Sequence, residues 1–150
     1  MTTTDQAPSI PTSRKVICGV YAAIAVAAAI ATWSQAGPYT HSITGPFVTF
    51  WQDTKVTSAS RFIASDILLL GLSVSVLMVI EARKHDVKFV WAYIVGAVLI
   101  GISVTVPLFL IARELKLGAS EAPRVRTTDV ILLAAFALAV AAMVVWIDVW

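Results

Sequence analysis

Four long, nearly charge-free stretches constrain the fold of this chain more than any other feature. Residues 16 to 33 hold eighteen residues without a charged side chain, residues 89 to 112 hold twenty-four, and residues 130 to 147 hold eighteen. The stretch from 62 to 80 carries one charge, Asp66, and three serines, Ser65, Ser73 and Ser75. A helix needs about 20 predominantly apolar residues to cross the hydrocarbon core of a bilayer. A spanning strand would be about 10 residues of alternating polarity, which these runs are not. In lipid the backbone must satisfy its own hydrogen bonds, so apolar runs of this length are helical. The sequence therefore predicts an all-α membrane protein, a bundle of four transmembrane helices over about 16–34, 62–82, 89–112 and 129–148. Residues 1–13, rich in Thr, Pro and Ser, read as a disordered tail before a single transmembrane domain over 14–150.

Composition supports this solvent. Charged residues are 13% of the 150 and hydrophobic ones 59%, whereas soluble domains carry about 25% charge. A net charge of +2, with no basic run longer than two, argues against nucleic acid as a partner. The single cysteine, Cys18, excludes an internal disulfide, and His41 and His85 fall in separate loops. No metal or cofactor is implied, since no phosphate-binding glycine loop, nucleophile elbow or zinc-protease helix is present.

The connections differ in kind. Residues 34 to 60 form a long loop with Gly37-Pro38 and Gly45-Pro46 as turn signals. Within it Phe47, Phe50 and Trp51 suggest a segment at headgroup level. Residues 81 to 88 form a tight charged turn, and 113 to 129 a mixed-charge loop containing Gly118 and Pro123. Lys and Arg bias sets orientation. Arg14 and Lys15 before the first helix, and Arg83, Lys84 and Lys88 after the second, favour a cytoplasmic N-terminus, and four crossings put both termini there. Arg124 and Arg126 before the fourth helix oppose this. A cleaved signal peptide is the competing reading of the first run, because Ser34-Gln35-Ala36 fits a small-x-small site.

Asp66 is the most pointed polar residue. An ionisable group at bilayer depth is costly and is by default a functional candidate. The plainer reading pairs it with Arg61, just below the headgroups. Ser73 shares its helical face, and with Leu69, Leu70 and Leu77 makes a weakly polar packing stripe. Glu81, roughly 22 Å further along the helix, reads as a partner for Arg83, Lys84, Lys88 or Arg14. In the third run Ala97, Gly101 and Thr105 recur at four-residue spacing, with Ala92 and Gly96 in an adjacent row. Small residues so spaced let helices approach closely. Pro107 removes a backbone donor, frees the Ser103 carbonyl and predicts a kink. Trp33, Trp91, Tyr93, Trp146 and Trp150 read as interfacial anchors.

The chain resembles the membrane family catalogued as domain of unknown function 2834, from about Arg14 to Leu117. The resemblance rests on Trp33 after the first helix and Asp66 early in the second. Met78 with Glu81-Ala82-Arg83-Lys84, then Trp91 and Tyr93, and finally Pro107-Leu108-Phe109-Leu110 with Arg113-Glu114 complete it. The family pattern often places Asn-Pro before the second helix, where this chain has Val56-Thr57-Ser58-Ala59. The resemblance implies a bacterial membrane protein without an established activity, and it does not reach the fourth run.

Three function classes follow. The leading one is a non-enzymatic accessory subunit or homo-oligomer, with the bilayer and another membrane protein or a second copy as partners. The next is a binder, isomerase or cyclase for an apolar ligand such as an isoprenoid. It would centre on Asp66, with Ser73 beside it and the loop aromatics Phe50 and Trp51 above it. The last is a small proton-coupled exporter, which fits poorly because no helix carries an acid at mid-membrane.

Overall fold

The computed structural model describes residues 11–41, 45–117 and 126–149, and everything described in them is helical or connecting. Helix α1 spans Thr12–Ser34, α2 is the short Phe50–Asp53, and α3 spans Ser58–Lys84. Then come α4, Val90–Gly96, α5, Ile102–Lys116, and α6, Thr127–Val149. Three of these, α1, α3 and α6, are long and apolar enough to cross a membrane. Of the tail expected over 1–13, residues 1–10 lie outside the described part, and the chain is already helical from Thr12. Gly118, Pro123 and Trp150 lie outside it too, as do the side chains of Phe47 and Asp148.

The start of α3 is fixed by its own side chains. Thr57 is extended and caps the helix: its hydroxyl accepts from the Ser60 amide, and the Ser60 hydroxyl accepts from the Thr57 amide, both at 3.0 Å. This reciprocal box satisfies two of the donors a helix start leaves bare. At the other end Asp86 takes φ 51°, and the Val87 amide reaches back to the Ala82 carbonyl at 2.9 Å. That closure is the Schellman type, and Val87 folds onto the buried face of α3 as such closures favour. Phe89, at φ 60°, then aims the chain back into the bundle.

The third apolar run, expected as one span over about 89–112, is a hairpin. A Cβ added to Gly96 would meet Thr105 Cγ2 at 3.1 Å. The Tyr93 and Phe109 rings lie edge to face with centroids 5.7 Å apart. In a straight helix sixteen residues would separate them by about 24 Å. The reversal follows a π-type turn over Ala97–Gly101 and uses Gly101 at φ +124°, ψ 137°. Side-chain-bearing residues rarely adopt such angles. Pro107 is buried within α5, which stays helical through it, so the change of direction lies at the glycine and not at the proline.

The helices pack around this hairpin. Arg14 of α1 sits at Glu114 and Leu117, and Trp33 reaches Ile100, so α1 lies antiparallel along α5. Gly71 faces Ile102 and Glu81 meets Arg113, so α3 runs parallel to α5. The core is Met78, Ala82, Val87, Val90 and Phe109, flanked by half-buried Val74, Tyr93, Val106 and Leu110. Four helices do form a bundle, α1, α3, α4 and α5, but it is not the bundle of four spans expected. No described residue of α6 is buried.

Candidate functional site

Three features among the described residues bear on a site, and the first is an ion network at the end of the bundle where α1 begins and α3 and α5 finish. Arg14 contributes Nε to Glu114 Oε2 at 3.6 Å, and its Nη1 donates to the Leu117 carbonyl. Arg113 donates from Nη1 to Glu114 Oε1 at 3.1 Å and from Nε to Glu81 Oε2. His85 Nε2 stands 3.4 Å from that same Glu81 oxygen. Two arginines and two glutamates thus alternate through three helices, with a histidine at the end. The Arg14 and Glu114 side chains are 3% and 4% exposed. Ions so buried are tolerated only when paired and hydrogen-bonded. Glu81 was expected to pair with a neighbouring base or with Arg14; its partner is Arg113, 32 positions away. Glu81 is half-buried on α3, and α5 returns to the same level only because run three folds back.

Beside this network a cleft of about 290 Å³ opens between α3 and α5. Val74, Leu77 and Met78 line one wall, and Val106, Phe109 and Leu110 the other. Glu81 and Arg113 close its charged end. Leu77, 56% exposed, forms its outer lip.

Asp66 occupies the third feature, a shallow open groove on the outer face of α3 shared with Ser58, Arg61, Phe62, Ser65 and Leu69. It forms no ion pair with Arg61 among the described residues. Arg61 turns instead to the Lys55 carbonyl at 2.7 Å and the Ser58 hydroxyl at 3.3 Å. Ser73 donates to the Leu69 carbonyl. Asp66, Leu69, Leu70, Ser73 and Leu77 are all exposed, whereas Gly71, Val74, Ser75, Met78 and Ala82 face inward. The stripe expected to pack therefore points away from α1, α4 and α5 from Asp66 to Ser73, and only its Leu77 reaches the α3–α5 cleft. Phe50 and Trp51 do not line the Asp66 groove. They form a cluster with Tyr39, with edge-to-face centroids at 5.4 and 5.5 Å. Tyr39 donates to Asp53 at 2.9 Å, and that bond pushes its phenol above the ordinary range.

Small residues of run three act inside the chain. Gly96 and Thr105 meet across the hairpin, and Ala97 and Gly101 make its turn. Thr105 Oγ1 donates to the Gly101 carbonyl at 3.3 Å. Trp33, read as an interfacial anchor, also donates its indole N–H to the Ile100 carbonyl at 3.0 Å, satisfying an acceptor at the turn. Sequence reasoning did not single out Arg14, Arg113 and Glu114 as a network. The one available signal was Arg113-Glu114 adjacent to an apolar run, with Arg14 at the start of another. Among the described residues no group of three His, Cys, Asp or Glu side chains is placed to hold a metal ion.

Comparison with known proteins adds one finding. The model of a family described as protein of unknown function DUF2834 matches residues 20–115. No curated protein and no solved structure matches.

Proposed function

The chain belongs to the DUF2834 family of proteins of unknown function, and from the geometry we propose that it works by association, as a non-enzymatic accessory subunit or homo-oligomer in the membrane. The exposed position of Asp66 on α3 carries this reading. It lies fifteen residues before Glu81, about 22 Å along the axis, against a hydrocarbon core of about 30 Å. A carboxylate at such depth belongs in a bundle interior or a watered cavity, not against lipid tails. Within the chain α6 offers it no base, since residues 130 to 147 are uncharged. A helix from a second polypeptide against the Asp66–Ser73 face would supply that interior. The test is in-membrane crosslinking of full-length protein carrying Cys18→Ser and Leu69→Cys, with mass spectrometry of whatever co-purifies. A disulfide dimer supports the homo-oligomer, and a stoichiometric membrane partner the accessory subunit. A monomer with no partner ends the proposal.

On the same reading the protein is a multi-pass protein of the cell membrane that crosses three times, as α1, α3 and α6. The α4–α5 hairpin enters and leaves by one face. Among the described residues Arg14, Lys15, Arg83, Lys84, Lys88, Arg113, Lys116 and Arg126 then share a face, and only Lys55 and Arg61 lie opposite. That face is cytoplasmic by the basic-residue rule. The N-terminus is inside and the C-terminus outside, in place of two cytoplasmic termini, and the conflict over Arg124 and Arg126 disappears. In a Cys18→Ser background, Thr54→Cys should react with an impermeant maleimide in intact cells. Thr127→Cys should react only after permeabilisation. The reverse pattern, or labelling of both from outside, refutes this topology.

A further inference from the structure

We propose that the cleft between α3 and α5 is a binding site for an anionic phospholipid, with one acyl chain along the cleft and the phosphate at Arg113. Its chemistry changes along its length. From Val74 to Met78 on α3, and from Val106 to Leu110 on α5, the walls are apolar. At the end nearest the helix termini they become Glu81 and Arg113. On α3 the cleft runs seven residues from Val74 to Glu81, about 10 Å of axis, and its apolar part ends at Met78, one turn before the charged end. That is the geometry of an amphiphile whose chain lies in the membrane and whose head lies at its surface.

Charge selects the head. Arg113 uses Nε for Glu81 and Nη1 for Glu114, while its Nη2 has no partner among the described residues. Its side chain is 26% exposed, so this donor pair remains reachable. Guanidinium groups favour phosphate oxygens through paired N–H donors. Arg83, Lys84, Lys88 and Lys116, all exposed, belong to the same end of the bundle. Clustered basic side chains beside a cleft between membrane helices, at the face that the proposed topology makes cytoplasmic, are a setting in which anionic headgroups are held. The exposed lip at Leu77 leaves the cleft open on the lipid side, so a ligand enters from the bilayer. This site borders the Asp66 stripe at Leu77 but lies toward the other end of α3; it rests on the topology proposed above and not on the association.

The test uses the purified full-length chain in a neutral detergent. Native mass spectrometry follows its binding of phosphatidylglycerol and, separately, phosphatidylcholine with the same acyl chains. Phosphatidylglycerol should bind about tenfold more tightly, and inorganic phosphate should not compete. Leu77→Trp, a change at an already exposed position, should close the lip and abolish the preference. Arg113→Lys should reduce the preference while retaining chain binding. Equal binding of the two lipids, competition by free phosphate, or an unchanged preference in a folded Leu77→Trp variant overturns the proposal.

Discussion

Removal of Arg14 tests the network that ties α1 to the hairpin. The pair is almost sealed from solvent, with side chains 3% and 4% exposed, so solvent screening gives little relief. Breaking a buried ion pair from one side costs about 3–5 kcal/mol. Arg14→Ala leaves Glu114 with the bond from Arg113 at 3.1 Å, which retains part of its compensation. It also removes the side-chain donor to the Leu117 carbonyl. These place the expected loss near the lower bound, about 3 kcal/mol. Replacing both partners by apolar residues of similar length, as Arg14→Met with Glu114→Leu, leaves no stranded charge there and should cost much less than Arg14→Ala alone. Arg113 then keeps Glu81. The assay is equilibrium unfolding of the detergent-solubilised chain by increasing sodium dodecyl sulfate, followed by tryptophan fluorescence. A loss below about 1 kcal/mol for Arg14→Ala, the range of an exposed pair, would refute the buried network. So would a double variant as damaged as the sum of its parts.

Gly101→Ala should destabilise the fold by about 1–3 kcal/mol, because φ +124° strains any residue with a Cβ; an unchanged unfolding curve would rule out the hairpin turn. It follows that Gly101→Leu, the natural probe of an association motif, would first disturb the chain's own fold. Trp33→Phe keeps the ring but removes the donor to Ile100, and should cost about 1 kcal/mol in the same unfolding assay. The Tyr39 phenol is raised first by its hydrogen bond to Asp53, which uses the protonated form. The contact is therefore complete below about pH 10 and is lost as pH rises through the raised pKa. An ultraviolet titration, corrected by Tyr39→Phe, should show a lower midpoint in Asp53→Asn.

The membrane solvent and helical class were legible because apolar length alone sets them. The ends of α1 and α3 lie within two residues of those expected, but both helices begin four residues before their apolar runs, at Thr12 and Ser58. Run three was not legible as a hairpin. Twenty-four uncharged residues look alike folded back or straight, and Gly101 resembles any small packing residue until its φ is known. That one error carried others, since Arg113 then seemed to lie on the far face from Glu81. Asp66 and Ser73 were correctly seen to share a face. Sequence periodicity does not say which of two weakly amphipathic faces turns inward, and here Gly71, Met78 and Ala82 took that place. The Thr57–Ser60 capping box was also missed, although its local chemistry is written in the sequence, because the apolar run that set the expected start begins at Phe62.

The folded-back third run also bears on how the protein is made. As it leaves the ribosome, residues 89 to 112 satisfy the length and apolarity by which insertion machinery accepts a crossing segment. A chain inserted that way would carry Arg113 and Glu114 to the face opposite Arg14 and Glu81, and none of the inter-helix ion pairs could close. Only the returned hairpin restores them. On the topology proposed above, the buried salt-bridge network thus rewards one path of insertion over another that hydropathy alone would accept, and variants that weaken it should accumulate mis-inserted molecules as well as loosen the folded ones.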